Sequence, residues 1–452
     1  MRRIKTVRGW RNRWRRRNRV DAIARIRHAT AIPFGRDGLA GLLAVRLSDA
    51  PRCGVIVLRA VGLAETAETL GATGRAHLLA DIGTTLRLLA YGSDNVVSFG
   101  DGQFGVVVPG IDDEAELSRF AERLLAEVGE PRTILERELV VHAVAGVAIA
   151  DSADVEAAID HATLACREAR RFGLGHVAIY DTQLAKAAHQ RMQITSAVGL
   201  AASRNELRVV FQSINDLRTG EVVGEEALAR WHHPRLGLVS PDRFIPIAEE
   251  SRAILSIGLW VLEHACDRLV ALSQAGGRPP KMHVNVSARQ LEDLTFPAAV
   301  RNVLATRQLD PSLLTLELTE TGVIDDSART KEALDALKAV GVRLAIDDFG
   351  VGYSSLSYIG RLPLDAVKID RAFIAGLGTE SADGEVVRII TDIAHRMHLD
   401  VVAEGIETEY QRNEVLRLGC VLGQGFLFGL PCEKAVEHET EPMASKDRTA
   451  VR

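Results

Sequence analysis

Residues 342–350 read VRLAIDDFG, an apolar run that ends in two adjacent acids and a glycine. The pattern recurs further along the chain, in AVKID at 366–370 and in VVAEG at 401–405. Short, mainly apolar runs separated by helical segments are typical of strands in a parallel sheet that is buried on both faces. The repetition therefore predicts an α/β fold for this half of the chain.

Eight such strand candidates can be counted in the C-terminal half, at 207–214, 222–231, 281–287, 314–319, 342–348, 366–370, 400–405 and 421–426. Eight strands with helices between most of them predict a (β/α)8 barrel of the TIM type. Upstream, strands predicted at 54–58, 95–99, 104–109 and 140–149 alternate with helices at 76–89, 113–128 and 155–172. They predict a smaller α/β domain over 28–182, followed by a helical connector over 183–204.

The composition is that of an ordinary water-soluble protein, with 452 residues, 47% apolar and 25% charged. This length suits two domains rather than one core. No stretch offers the ~20 uncharged apolar residues of a membrane span. The five cysteines form no CxxC pair, which predicts free thiols in a reducing cytoplasm.

The first 27 residues carry twelve Lys or Arg and a single acid, in a chain whose net charge is −5. They lack the apolar core of a secretory signal. Ile4, Val7, Trp10 and Trp14 recur at helical spacing. Two interpretations stay open: a basic amphipathic helix on the inner, anionic surface of a membrane, and a solvated leader. The rest of the chain is acidic, which argues against binding to a nucleic acid duplex.

Charged and amide side chains follow or interrupt the apolar runs of the predicted barrel. Two carboxylates ~4 Å apart repel by about 4 kcal/mol at an effective dielectric near 20, so acids that converge at one mouth need protons or cations. Oxygen ligands without Cys or His select Mg²⁺ or Mn²⁺. The alternative explanation is that these acids only cap helices. It accounts well for a single acid at a strand end, but poorly for the whole set. The set comprises Glu226, Asn285, Glu317, Glu320, Asp347, Asp348, Lys368, Asp370, Glu404 and Glu407.

The stretch GEEALARWHHP at 224–234 resembles the signature of the EAL family. The resemblance extends over about residues 205–432 and assigns 205–436 to an EAL domain, with a polar tail at 437–452. Further matching motifs are FIPIAEE (244–250), VNVS (284–287), ELTE (317–320), DDFG (347–350), GYSSL (352–356), KID (368–370), AEGIE (403–407) and QGF (424–426).

The resemblance implies a homodimeric phosphodiesterase that hydrolyses cyclic di-GMP to linear pGpG with two metal ions. One ion would be held by Glu226, Asn285, Glu317 and Asp347, and the other by Asp347, Asp348 and Glu404. Lys368 would position or activate the attacking water, with Glu404 as a nearby proton acceptor. Gln212, Arg230 and Gln424 match positions that contact substrate, and Glu320 one that steadies the loop after Asp348.

Three positions depart from the family pattern: Val351 replaces a usual Thr, Ser213 a usual Pro and Phe426 a usual Tyr. None removes a metal ligand, so activity is expected. Two rival interpretations remain: a non-catalytic receptor that binds cyclic di-GMP and signals by contact, and a scaffold that binds no nucleotide. A receptor has no need for the Asp347-Asp348 pair, which suits a bridge between two ions.

Residues 28–182 resemble a GGDEF domain whose cyclase residues are missing. The signature hairpin reads GDGQF at 100–104, so Gly102 and Gln103 stand where two acids belong. Arg59 and Val61 occupy the upstream metal-binding positions, and at the inhibitory site Tyr91 replaces an Arg although Asp94 remains. The resemblance therefore implies a regulatory or dimerising module without diguanylate cyclase activity.

Overall fold

The computed structural model describes residues 35–90, 95–151, 154–275, 279–320, 328–350, 362–378 and 382–433. The chain divides into two compact units between residues 190 and 191. The predictions made for residues 1–27, Tyr91, Asp94, Val351 and the tail at 437–452 lie outside the described residues.

A five-stranded sheet with the strand order β2-β3-β1-β6-β7 forms the first unit. Its central strand β1 (Arg52–Val61) pairs antiparallel with both β3 (Gln103–Pro109) and β6 (His142–Asp151). The remaining strands are β2 (Val96–Gly100) and β7 (Val177–Ile179), and β4 (Arg132–Ile134) and β5 (Arg137–Leu139) form a separate hairpin. The helices are α1 (Gly35–Asp49), α2 (Leu63–Leu89), α3 (Glu114–Gly129), α4 (Val155–Ala169) and α5 (Thr182–Ala197), which contains the division between the units.

Helices cover both faces of this sheet, so the unit has two apolar cores. Helix α3 begins at Asp113, whose carboxylate accepts from the backbone N–H groups of residues 115 and 116. It buries Leu117, Phe120 and Leu124, which recur at helical spacing, against one face. Helices α1 and α4 cover the other face. The smaller α/β domain predicted from the sequence is confirmed.

Eight strands close into a barrel in the second unit: β8 (Leu207–Asp216), β9 (Val222–His233), β11 (Lys281–Val286), β12 (Leu314–Thr319), β13 (Arg343–Phe349), β14 (Ala366–Ile369), β15 (Asp400–Ala403) and β16 (Leu422–Gly423). From β9 and β11 onward to β16 the neighbours are parallel. The predicted TIM-like barrel is confirmed.

The first barrel strand departs from the all-parallel TIM pattern, since β8 runs antiparallel to both β9 and β16. The cause is the connection after β8, where only residues 217–221 precede β9. Five residues close an antiparallel hairpin, whereas a parallel pair needs a crossover of a dozen or more. A short strand β10 (Gly237–Val239) extends β9 outside the closed barrel.

The barrel helices pack their apolar faces on the strands and enclose one large core. In it, the fully buried rings of Trp231 and Phe244 meet edge to face at 5.6 Å.

No helix in the described part of the chain is both long and apolar enough to span a bilayer. The helices are α6 (Pro241–Glu250), α7 (Ile254–Gln274), α8 (Ala288–Leu291), α9 (Phe296–Arg307), α10 (Ala328–Val340), α11 (Arg371–Ala375), α12 (Asp383–Arg396) and α13 (Glu409–Arg417).

Candidate active site

A buried lysine lies at the centre of the barrel mouth. Lys368 on β14 is 1% exposed, and its ammonium is surrounded by four carboxylates. The distances from Nζ are 2.6 Å to Glu404, 2.8 Å to Glu317, and 3.3 Å to both Glu226 and Asp347. A buried cation is tolerated when it is paired in this way.

Each strand of the barrel, or the position directly after it, contributes one of the predicted residues to this mouth. Side chains alternate between the two faces of a strand, so one inward position per strand brings residues distant in sequence together. In order around the barrel the residues are Gln212, Glu226, Asn285, Glu317, Asp347, Lys368, Glu404 and Gln424, the last two directly following β15 and β16.

Amide side chains fix the orientation of Glu226. Its Oε1 accepts from Nδ2 of Asn285 at 2.7 Å, and its Oε2 accepts from Nε2 of Gln424 at 2.7 Å. The same Nε2 donates to Oε1 of Gln212 at 2.9 Å. Gln212 lies directly opposite Glu226 across the antiparallel pair. These contacts link two of the predicted substrate residues to a predicted metal ligand.

The neighbouring acids Asp347 and Asp348 reach one site because β13 is irregular where it ends. Consecutive side chains of a regular strand point to opposite faces. Here the pairing with β14 shifts register between Ile346 and Phe349, and Asp348 has a left-handed φ of 54°. A bulge of this kind redirects a side chain. Carboxylate oxygens of Asp347, Asp348 and Glu404 consequently lie within 4.8 Å of one another.

The site carries more negative charge than its single ammonium can balance. Burial raises the pKa of Glu404 to about 8 and that of Asp348 to about 6, with the charge of Asp347 adding to both effects. Burial also raises the pKa of Glu317 well above its usual range. For Glu226 burial acts in the same direction, but Lys368 and the amide hydrogen bonds outweigh it, so its pKa falls below the usual value.

These residues fit divalent cations. Oδ1 of Asp347 is buried and accepts no hydrogen bond, although it faces Lys368 at 3.3 Å. Oε1 of Gln424 is buried and equally without a hydrogen-bond partner. Clustered carboxylate oxygens with raised pKa values are ligands for hard ions such as Mg²⁺ or Mn²⁺. The acid cluster is therefore present, and it has the donor set that a hard cation prefers.

Two further predicted residues border the mouth. Arg230 lies four residues after Glu226 on β9, and burial lowers the pKa of its guanidinium. Oε2 of Glu320 accepts from the backbone N–H of Gly350 at 3.0 Å, two residues beyond Asp348. Gly350 has a φ of 103°, and a Cβ there would lie 2.8 Å from the ring of Phe373. A residue with a side chain would therefore disturb this loop.

Sequence reasoning missed His283, which lies on the inward face of β11 two residues before Asn285. Its Nδ1 is 2.7 Å from Oε1 of Glu317, whose other oxygen contacts Lys368. Burial, reinforced by the charge of Lys368, lowers the pKa of His283 to about 3, so the imidazole is neutral. The available signal was its spacing, since residues i and i+2 of a strand share a face.

In the first unit, the hairpin at 100–103 presents few groups for metal chemistry. Arg59 on β1 lies directly opposite Gln103. The only acid of the turn, Asp101, is paired with Arg75 at 2.9 Å. Gly102 has a φ of 75°, and a Cβ there would lie 2.1 Å from the side chain of Leu63.

Family models match both units of the chain. An EAL domain matches residues 195–431, and a diguanylate cyclase GGDEF domain matches residues 37–175. Two curated relatives from Pseudomonas aeruginosa span most of the chain. One is the bifunctional diguanylate cyclase/cyclic di-GMP phosphodiesterase MucR, 33% identical over 78% of this chain and 52% of the relative. The other is the cyclic di-GMP phosphodiesterase NbdA, 35% identical over 82% of this chain and 48% of the relative. The chain thus spans about half the length of these proteins.

Solved structures agree with this similarity. The phosphodiesterase PaMucR in complex with c-di-GMP is 40% identical, with a TM-score of 0.51, over 53% of this chain and 97% of its own. The EAL enzyme Bd1971 in its form bound to cAMP and cyclic-di-GMP is 28% identical, with a TM-score of 0.53, over 66% of this chain and 80% of its own. With its barrel, its acidic mouth and a match over more than half its length, the chain belongs to the EAL domain family and carries a GGDEF domain before the EAL domain.

Proposed function

We propose that the chain is a phosphodiesterase that hydrolyses cyclic di-GMP to linear pGpG. The observation that carries the proposal is the cluster of Asp347, Asp348 and Glu404 beside the buried Lys368, with four carboxylates around one ammonium. Support comes from the relatives, since PaMucR was solved with c-di-GMP and NbdA is named a cyclic di-GMP phosphodiesterase.

Two divalent ions would be held by the carboxylates and the amide of the mouth, and would supply Lewis-acid stabilisation of phosphate charge. We assign Glu226, Asn285, Glu317 and Asp347 to one ion and Asp347, Asp348 and Glu404 to the other. Asn285 and Gln424 orient Glu226 through hydrogen bonds of 2.7 Å each. This prior orientation lowers the reorganisation that binding requires.

Lys368 and Glu404 have complementary tasks in this proposal. The ammonium of Lys368 positions the attacking water and stabilises negative charge as it develops on the phosphate. Glu404, in contact with that ammonium at 2.6 Å, accepts the proton of the water. Arg230 binds a phosphate of the substrate because a guanidinium matches paired phosphate oxygens. Gln212 and Gln424 contact the nucleotide from the neighbouring strands.

The proposal includes domain limits and associations that rest on the sequence and on family resemblance. Residues 205–436 form the phosphodiesterase domain, 28–182 the GGDEF-like module and 183–204 the connector. The chain forms a homodimer in the cytoplasm, and two interpretations of the basic segment 1–27 stay open: a solvated leader and a helix on an anionic membrane surface. Better retention of the full chain than of a chain without residues 1–27 on vesicles with anionic lipid would support the membrane interpretation, and equal retention would support the solvated leader.

We also propose that the GGDEF-like module is not a diguanylate cyclase. A cyclase needs acids to hold metal against a triphosphate, whereas Arg59 lies opposite Gln103 and Asp101 is paired with Arg75. Incubation of the purified chain with GTP and Mg²⁺ should give no cyclic di-GMP, even when an Asp347→Asn substitution prevents its removal. Accumulation of cyclic di-GMP in that variant would contradict this part of the proposal.

The phosphodiesterase assignment is tested with two acids of one strand. Glu404 lies at the mouth, directly after β15, and Asp400 begins the same strand, where it pairs with Arg343 at 2.6 Å. Glu404→Gln should reduce pGpG formation by at least ~100-fold, because it removes a ligand and a proton acceptor. Asp400→Asn removes two partly exposed ion pairs, with Arg343 and with Lys281, and should leave turnover near the wild-type rate. Equal turnover in both variants would contradict the assignment.

A further inference from the structure

A buried ion pair connects helix α7 to the strand that carries Glu226. Nε and Nη2 of Arg268 donate to the two carboxylate oxygens of Glu225, at 3.0 Å each. The two side chains are only 17% and 10% exposed. Paired donors of this kind fix geometry as well as charge. Glu225 directly precedes Glu226 on β9, and neighbouring residues of a strand point to opposite faces. Its pairing with α7 outside the barrel therefore turns Glu226 toward the mouth.

The same guanidinium also contacts the antiparallel strand β8. The Cζ atom of Arg268 lies 5.5 Å from the centre of the Phe211 ring, a cation–π contact. Phe211 is held in turn by two backbone hydrogen bonds to Cys432, at 2.8 and 3.0 Å. Phe211 directly precedes Gln212, as Glu225 precedes Glu226. Arg268 thus contacts both strands at the positions next to two site residues.

Those two site residues are partners inside the barrel. Gln212 and Glu226 lie directly opposite each other, and Nε2 of Gln424 donates to both. A slip of one residue between β8 and β9 would turn Gln212 to the wrong face. The pairing of the two strands already contains a register shift between Ile214 and Asn215, near the end of β8. The register at residue 212 consequently depends on contacts outside the turn.

We propose that Arg268, with Glu225 and Phe211, is a positioning residue that aligns Gln212 with Glu226 for substrate binding. The inference rests on the proposed function and extends it to residues that do not touch the substrate. The two contacts need a planar guanidinium, because only this group can form paired hydrogen bonds and also lie over an aromatic ring. Arg268→Lys keeps the charge but cannot form the paired hydrogen bonds while it lies over the ring, which makes it the informative variant.

The experiment compares the full-length wild type with Arg268→Lys, Arg268→Ala and a control. The control is Arg307→Ala. It breaks the ion pair of 2.6 Å between Arg307 on α9 and Asp267, which lies on α7 next to Arg268. Both Arg268 variants should raise KM for cyclic di-GMP by about tenfold or more, since small displacements in a site have effects of 10- to 100-fold. Arg307→Ala should leave KM within about twofold, even where it lowers Tm.

A double-mutant cycle separates positioning from a general loss of stability. If Arg268 acts through Gln212, then Arg268→Lys should have little further effect on KM in a Gln212→Ala background. Additive effects, or an unchanged KM in both Arg268 variants, would overturn the inference.

The dissociation constant of cyclic di-GMP, measured by calorimetry with Ca²⁺, is a second readout that needs no turnover. A wild type that binds cyclic di-GMP but does not hydrolyse it with Mg²⁺ or Mn²⁺ would contradict the proposed function, and the same comparison of Kd values would still decide this inference. A wild type that does not bind would overturn both.

Discussion

The ammonium of Lys368 lies 2.6 Å from Oε1 of Glu404, the shortest of its four ion pairs. The two residues come from neighbouring parallel strands, with Lys368 opposite Val402 and Ile369 opposite Ala403. This contact joins the lysine to the acid cluster of Asp347, Asp348 and Glu404. The same ammonium also pairs with Glu226 and Glu317, outside that cluster. Its removal should therefore affect metal binding, catalysis and stability together.

The first prediction concerns Lys368→Met. Loss of the ammonium should reduce kcat by roughly 10²- to 10⁴-fold, because a positioned polar group of the site is removed. It should also lower Tm in the presence of a chelator, since four carboxylates then lack their cation. Added Mg²⁺ should raise the Tm of this variant more than that of the wild type.

Lys338→Met is the matched control for that variant. Lys338 pairs with Asp365 at 2.8 Å, and both side chains are partly exposed. Its removal should leave kcat unchanged and give no larger Tm response to Mg²⁺ than the wild type shows. Wild-type kcat in Lys368→Met would contradict the role assigned to the lysine.

The second prediction is a pH dependence of stability in metal-free protein. The pKa of Glu404 is raised to about 8 in the folded state, above the ordinary value of 4.5. Between these values the folded state binds more protons than the unfolded state, so the free energy of unfolding falls as pH rises through this window. Tm measured with a chelator should therefore decrease from pH 5 to pH 8.

Two variants of the measurement test the cause of that slope. Glu404→Gln should make it shallower, because an amide does not titrate in this range, while the raised pKa values of Asp348 and Glu317 leave a smaller slope. Saturating Mg²⁺ should also flatten it, since a bound cation replaces the proton. A slope that is unchanged in Glu404→Gln would show that another group is responsible.

The third prediction concerns His283→Leu. The substitution removes the contact of 2.7 Å between Nδ1 and Oε1 of Glu317, so Glu317 loses one of the groups that orient it. Mutation of a residue that hydrogen-bonds to a metal ligand typically lowers metal affinity or activity by 10- to 100-fold. The Mg²⁺ concentration that gives half-maximal turnover should rise by about this factor. His264→Leu, on the exposed face of α7, should leave it unchanged, and equal behaviour of the two variants would contradict the role of His283.

The barrel and the members of its site follow from local patterns in the sequence. Apolar runs that end in charged residues predict the strands near Asp347, Lys368 and Glu404, and the strand period predicts which side chains face inward. Other features depend on pairing between distant segments. The left-handed φ of Asp348 and the register shift before Phe349 are needed to bring two adjacent acids to one site. Nothing in the local pattern indicates them.

Contacts between residues far apart in the chain could not be predicted from the sequence either. Arg268 reads as an ordinary helix residue, yet it contacts Glu225 and Phe211 at sequence separations of 43 and 57. The antiparallel direction of β8 follows from its short connection to β9. The alternation of strands and helices later in the chain favoured an all-parallel barrel. The hydrogen bond from Gln424 to Gln212 joins residues 212 positions apart, and the local sequence pattern does not predict it.

The fourth prediction concerns Val351, which lies outside the described residues and directly follows the Gly350 that Glu320 holds at 3.0 Å. The EAL family usually has Thr at this position, and a hydroxyl can add a hydrogen bond to the loop. Val351→Thr should therefore leave kcat equal or raise it. A marked loss of activity would show that the loop does not follow the family pattern.

The central claim is tested most directly by separating the products after incubation of the purified full-length chain with cyclic di-GMP. Reactions with Mg²⁺, with Mn²⁺ and with a chelator should be compared by chromatography. We predict linear pGpG in the presence of either metal and intact cyclic di-GMP with the chelator. Intact cyclic di-GMP under every metal would contradict the phosphodiesterase and favour a receptor that binds the nucleotide without cleaving it.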